Sequence, residues 1–148
     1  MEEILSLLDK INNDFVPDLE KGIGEAIRGE MVELAASTPY DTGYHAINWQ
    51  IGNQANENEI EPYDKKNKRD FQAVLNNVSE RTEDVIIDIN HDLYVFNNGK
   101  MIKELENGTP TAGTGPNANP GFVQNAENEL PDIIQEVINN VLQEYGLN

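Results

Sequence analysis

Residues 2–36, EEILSLLDKINNDFVPDLEKGIGEAIRGEMVELAA, decide the architecture of this chain. Apolar side chains recur in this stretch every three or four positions, which is the spacing of an amphipathic helix. They are Ile4, Leu8, Ile11, Phe15, Leu19, Ile23, Ile27, Met31 and Leu34. Proline is accommodated in a first helical turn but disrupts a helix interior. The sequence therefore predicts a short helix to about Asn12 and a longer one that begins near Pro17.

A second amphipathic pattern closes the chain. Apolar residues at helical spacing run from Phe122 to Tyr145 and predict a C-terminal helix, with Pro131 as a candidate bend. Residues 66–78 show the same spacing over a shorter distance and predict a further helix. The chain therefore places an amphipathic helix at each end, and each helix needs an apolar surface to pack against.

Two segments between these helices predict strands. Residues 44–52 alternate loosely and would point Trp49 toward the core, and residues 84–90, DVIIDIN, are dense in β-branched side chains. Residues 94–106 return to helical spacing, broken by a turn at Asn97-Asn98-Gly99, and predict a short helix after that turn. We expect an α+β fold of one domain, residues 1–148, in which a long N-terminal helix and a C-terminal helix pack on a small antiparallel sheet.

Two polar segments predict long projecting loops. Residues 53–64 are rich in Asn and Glu, and residues 107–120 contain three Gly and three Pro and no charge. Loops of this kind tend to carry interactions. We expect intersubunit or partner contacts from residues 53–70 and from the longer loop, where the candidate contact residues are Thr109, Pro110, Thr111, Thr114, Pro116 and Asn117.

Composition restricts the classes of function. The formal net charge is -17, and residues 104–148 contain seven acidic and no basic side chains. Such a field repels phosphate backbones, so we expect no direct nucleic-acid binding, whereas a basic protein partner is a reasonable expectation. The chain has no cysteine, and we expect no disulfide, no thiolate zinc site and no cofactor. Without a signal peptide or an apolar span, we expect no membrane partner and no export by that route.

Residues 38–43, Thr-Pro-Tyr-Asp-Thr-Gly, contain the Asp-Thr-Gly tripeptide of aspartic proteases. That chemistry needs the aspartate in a rigid turn after an apolar strand, and two such carboxylates must share a proton. Here the tripeptide follows a helix and lacks the expected small residue after the glycine. We therefore expect Asp41 and Thr42 to bond local backbone groups and Gly43 to supply a turn conformation. The protease remains an alternative.

Other candidate sites are weaker. The run Asp88-Ile89-Asn90-His91-Asp92 offers the first three ligands of a calcium loop, but Leu93 and Gly99 occupy the positions that need glycine and glutamate. His45 and His91 are far apart in sequence and form no metal-binding pair. We expect no metal site, no catalytic residue and no enzyme activity.

In order along the chain, four blocks resemble the neck, tail-completion and minor tail proteins of tailed bacteriophages. They are the long N-terminal helix, residues 38–43 with Asn48-Trp49, Tyr94 with residues 105–109, and residues 120–123 with Ala126. The motif residues are Thr38, Pro39, Asp41, Thr42, Gly43, Trp49, Tyr94, Glu106, Gly108, Pro120, Gly121 and Phe122.

The resemblance implies a non-enzymatic α+β subunit that joins the connector of the phage head to the tail. It implies assembly as a ring, with a hexamer favoured, among other neck, connector and tail proteins. The location would be the head-tail junction of the virion, after synthesis in the host cytoplasm. The alternative from composition is an acidic protein-binding module or inhibitor, which would be a monomer that binds a basic target in a salt-sensitive way.

Overall fold

The computed structural model describes residues 1–83, 85–108 and 120–147. Two long helices, α2 (Val16–Ser37) and α6 (Phe122–Glu144), lie side by side and form the largest contact between elements. Their directions are opposite, because Phe15 and Asp18 contact Tyr145 beyond the end of α6, and Gly22 approaches Val137. The sheet and the shorter helices pack at the other end of this pair.

The two helices predicted on either side of Pro17 are present at close to the predicted bounds, but the chain stays helical between them. Helix α1 (Glu2–Lys10) leads into a π-helical turn, Ile11–Phe15, which leads into α2. The Val16 N–H donates to the Ile11 carbonyl, five residues back. Proline lacks an N–H and clashes with the carbonyl four residues earlier, and a widened turn immediately before it accommodates both effects.

The sheet has two antiparallel strands, β1 (Trp49–Gly52) and β2 (Tyr94–Asn97), with Trp49 opposite Asn97. The predicted strand 44–52 is only partly correct, because its first half is a helical turn, α3 (Tyr44–Ile47). The helical prediction for residues 94–106 is wrong for β2. The cause is pairing with β1, which overrides the local spacing. The short helix predicted after the turn is present as α5 (Ile102–Glu106).

The predicted strand 84–90 is wrong over its described part, since residues 85–90 lie in irregular structure and a turn. A β-branched run forms a strand only where it finds a partner strand and apolar cover. The described part of the chain offers it no partner strand, and Ile86 is 88% exposed. The helix predicted over 66–78 begins later, as α4 (Phe71–Glu83), because the Asp70 carboxylate accepts the Ala73 N–H at 3.0 Å and caps it.

The core lies where α2, α4, α6 and the sheet meet. Burial of Trp49 agrees with the sequence prediction. The α+β prediction is confirmed, with a long N-terminal helix, a small antiparallel sheet and a C-terminal helix that runs through Pro131 without interruption. In the described ranges, none of the helices is both long enough and apolar enough to cross a membrane. The clustered core residues are Ile27, Met31, Leu34, Ala35, Ala46, Ile47, Trp49, Val74, Val78, Leu105, Phe122 and Ala126.

Candidate functional site

The Thr38-Pro39 block ends α2 and ties it to the sheet. Proline biases the residue before it toward extended backbone, and Thr38 has ψ 130°. Its buried hydroxyl donates to the Leu34 carbonyl at 2.6 Å and accepts the indole N–H of Trp49 at 2.9 Å. The rings of Trp49 and Phe122 are perpendicular to each other, at a centroid distance of 6.5 Å. Two of the resemblance blocks therefore meet around one indole.

The Asp41-Thr42-Gly43 tripeptide forms a turn. Gly43 has φ +82°, a conformation that side chains with a Cβ rarely adopt, and an added Cβ would lie 2.7 Å from the Tyr40 hydroxyl. The Thr42 hydroxyl accepts the Tyr44 N–H at 3.3 Å, which is a local bond of the kind we expected. Asp41 instead forms an ion pair with Lys68, at 3.7 Å, near the surface.

The residues after the tripeptide form a buried polar cluster. Tyr44 donates its hydroxyl proton to Glu59 at 2.8 Å and accepts the Lys100 N–H at 2.8 Å. Burial lowers the pKa of His45, so the neutral ring donates through Nε2 to the Lys100 carbonyl at 2.6 Å. His91 lies elsewhere, on Asp88, in an exposed turn. These partners fix the path of the chain between β2 and α5.

Asn48 and Arg81 complete the cluster, and neither was among the residues singled out as a site. Asn48 is fully buried and holds the 53–64 loop, since its amide donates to the Glu61 carbonyl at 3.1 Å and accepts the Ile60 N–H at 2.6 Å. Arg81 donates to the Trp49 and Ile47 carbonyls at 3.0 and 2.5 Å. Only its place beside Val78 on the apolar stripe of α4 could have pointed to Arg81.

The Glu106 block caps the C-terminal helix. The Glu106 carboxylate accepts the Val123 N–H at 2.9 Å and the Gln124 N–H at 3.0 Å, and its carbonyl accepts the Gly121 N–H at 2.9 Å. These are backbone donors that a helix start leaves unpaired, and a negative charge there also favours the helix dipole. The blocks at Glu106 and at Phe122 are therefore parts of one junction.

Glycines let the chain enter and leave this junction. Gly108 and Gly121 have φ +80° and +81°, and an added Cβ on Gly108 would lie 3.2 Å from Pro120. Tyr94 takes no part in the junction, because it lies at the start of β2 and is 46% exposed. The predicted contact residues Thr109, Pro110, Thr111, Thr114, Pro116 and Asn117 lie outside the described residues. The segment 53–70 is described and is largely exposed.

An apolar pocket opens beside this junction, between α2, α6 and β2, with a volume of about 110 Å³. Glu30 lines it and is only 8% exposed. Burial, and then the carboxylates of Glu129 and Glu33, raise the pKa of Glu30. The sequence carried a signal for this residue, because Glu30 lies three positions after Ile27 on the apolar stripe, where a charge is out of place. We did not single it out from the sequence.

The first 14 residues form a helical arm that extends past the end of α6. Every one of them is exposed, and at about 1.5 Å per residue the arm is roughly 20 Å long. Its apolar face is uncovered, with Ile4 58% and Leu8 48% exposed. A continuous uncovered apolar face of this kind marks an interaction surface.

The described residues contain no group of three or more His, Cys, Asp or Glu side chains placed to hold a metal ion. Comparisons with protein-family models, with curated proteins and with solved structures find no match to this chain. The geometry above is therefore what bears on function.

Loss of the Glu106 cap should destabilise the fold. We expect Glu106→Ala to lower the free energy of unfolding by about 1–2 kcal/mol, since it leaves two backbone donors of α6 without their acceptor. The measurement is equilibrium urea denaturation followed by circular dichroism. Glu104→Ala, in the same short helix, is the matched control and should cost less. Equal losses in the two variants would contradict the capping role.

Glu30→Gln should stabilise the protein at neutral pH. The folded-state pKa of Glu30 is raised, so ionisation opposes folding, and the free energy of unfolding should fall as pH rises above the usual value of 4.5. Glutamine removes the ionisable group while keeping the shape of the side chain. Thermal unfolding should give Glu30→Gln a higher Tm than wild type at pH 7, with the difference shrinking below pH 4.5. A Tm change equal to that of Glu25→Gln, an exposed carboxylate of the same helix, would contradict this.

Proposed function

We propose that this chain is a structural subunit of a tailed-bacteriophage virion, in a ring at the head-tail junction that joins the connector to the tail. The observation that carries the proposal is the helical arm of residues 1–14. Its uncovered apolar face has no use in an isolated subunit, and burial of an apolar side chain is worth about 1.5–3 kcal/mol. An assembly subunit is the class of protein that needs such a face.

The roles of the motif residues also support the proposal. Thr38, Trp49 and Phe122 meet in the core, and Glu106 caps α6. In the described part of the chain these residues set the positions of helices and the sheet, which is what a rigid subunit requires. These residues of the blocks that carry the phage resemblance, Thr38, Trp49, Glu106 and Phe122, thus connect the two long helices and the sheet into one rigid frame. The arm and the 53–70 segment extend from this frame.

The charge distribution favours particular neighbours. Copies with a net charge of -17 repel one another, so a ring would place the acidic surfaces outward or against a basic partner. Salt screens this repulsion, because the Debye length is about 10 Å at 0.1 M ionic strength and shorter at higher salt. Apolar contacts remain intact under these conditions. We therefore expect ring formation by the isolated chain to strengthen as the salt concentration rises.

The direct test is immunogold labelling of purified virions of the encoding phage, with an antibody against this chain. We expect label at the head-tail junction. Label along the tail, on the head or at the tail tip would contradict the proposed position, and virions that lack the chain would contradict the proposed function. Native mass spectrometry of the purified chain gives the stoichiometry, and we expect a hexamer.

The arm provides a sharper prediction. The double variant Ile4→Ser, Leu8→Ser should abolish ring formation while changing the Tm of the subunit by less than about 2 °C, because both side chains are exposed in the single chain. The measurements are native mass spectrometry and negative-stain imaging at high salt.

Its matched control alters the arm away from that face. At 100° per residue, Glu2 and Asp9 lie opposite Ile4, so Glu2→Ser, Asp9→Ser should assemble as well as wild type or better. Normal ring formation by the Ile4→Ser, Leu8→Ser variant would contradict the proposed role of the arm in assembly.

A further inference from the structure

The pocket between α2, α6 and β2 combines apolar walls with one buried acid. Its volume of about 110 Å³ is comparable to the apolar cavities of about 150 Å³ that bind benzene. It therefore has room for a short run of methylene groups. The lining residues are Ile27, Glu30, Met31, Leu34, Trp49, Val95, Val123, Ala126, Glu127 and Leu130.

Glu30 is the unusual member of this set. It is 8% exposed, yet neither a hydrogen bond nor an ion pair reaches its carboxylate from the described residues. The charged groups that act on it are Glu129 and Glu33, which are also acidic, and Glu127 lines the same pocket. A buried carboxylate is normally paired, because burial of an uncompensated charge is costly. The Glu30 oxygens are not among the fully buried atoms that lack a partner, so they remain reachable from the open pocket, and a cation there would pair with them.

We propose that this pocket receives a lysine side chain of a partner protein, whose ammonium group pairs with Glu30 while its stem packs against the apolar walls. Lysine matches the space, because it carries a compact charge on a flexible four-carbon stem, whereas arginine presents a wide planar fork. Nearby acids add to the attraction, since Glu127 lines the pocket and the charges of Glu129 and Glu33 act on Glu30, and all three repel anions and attract cations.

A polypeptide, and not a small free amine, is the occupant that the surrounding surface fits. The pocket shares Trp49, Val95 and Val123 with an open groove of about 420 Å³ that continues along β2 to Ile102 and Lys103. A segment that places its lysine in the pocket would therefore find a further surface for its neighbouring residues. The proposal goes beyond the function proposed above and holds for any basic partner, so its failure would leave the virion assignment intact.

Trp49 makes the first test simple, because it lines the pocket and is the single tryptophan of the chain. We expect its fluorescence to titrate saturably with n-butylammonium and n-hexylammonium at constant ionic strength. Affinity should rise by up to about fourfold per added methylene, the factor expected for burial of one methylene group. Neutral n-hexanol should bind at least tenfold more weakly than n-hexylammonium, and equal affinity would overturn the role of the charge.

Glu30→Gln tests the ion pair directly. This variant should lose at least tenfold in n-hexylammonium affinity and should bind n-hexanol as wild type does. Glu25→Gln, on the exposed side of the same helix, is the matched control and should bind n-hexylammonium normally. Glu127→Gln, at the pocket mouth, should show a smaller loss of about twofold. Unchanged ammonium affinity in Glu30→Gln, or no saturable titration by the wild type, would overturn the proposal.

The second arm of the experiment separates a protein lysine from a free amine. The probe is a blocked pentapeptide with one central lysine between leucines, and its matched control carries norleucine in place of the lysine. We expect the lysine peptide to bind wild type more tightly than n-butylammonium does, and to lose that affinity in Glu30→Gln. Weaker binding of the lysine peptide than of n-butylammonium, or equal binding of the norleucine peptide, would overturn a protein lysine as the occupant.

Discussion

The indole of Trp49 is the contact on which the rest of the fold depends. Its N–H must find an acceptor inside the core, because an unpaired buried donor costs about 1–3 kcal/mol. Thr38 supplies the acceptor at 2.9 Å and can do so only because Pro39 ends α2 at that point. The ring in turn packs against Phe122, at the first turn of α6. One side chain thus fixes the end of one long helix, the position of the sheet and the start of the other long helix.

The two long helices could be predicted from sequence, because the helical spacing of their apolar residues continues over many turns. The apolar stripes of the terminal helices span many turns, so local irregularities such as the π-helical turn before Pro17 do not hide them. The short elements were harder. Residues 94–97 read as helix but pair with β1, and the β-branched residues 85–90 found no partner strand among the described residues. In both cases a contact distant in sequence decided the outcome.

The polar sites were also hard to predict from sequence wherever they depend on residues that are distant along the chain. The turn at Gly43 follows from local chemistry, and its positive φ agrees with that interpretation. The cap that Glu106 places on α6 joins residues 17 and 18 positions apart, so no local pattern contains it. Glu30 lay on an apolar stripe, where a charge stands out. Its meaning depends on the pocket that α6 and β2 build around it, and spacing along α2 carries no information about that pocket.

Two of the surfaces that the described residues leave uncovered differ in chemistry. The arm of residues 1–14 is helical and has one apolar face, which suits packing against another helix or groove. The pocket at Glu30 is small and is lined by two acidic side chains, Glu30 and Glu127, which suits a single cationic side chain. A subunit with one surface of each kind can make two different contacts at the same time. That property fits the proposed position between unlike neighbours in a virion.

The most direct test of the central role of Trp49 is hydrogen exchange of its indole N–H. The chain has one tryptophan, so a single resonance in the indole region of an NMR spectrum reports it. We predict that this proton exchanges only through global unfolding, with a free energy equal to that from urea denaturation, and that it exchanges faster in Thr38→Val. Exchange within minutes under native conditions, or exchange unaffected by Thr38→Val, would contradict it.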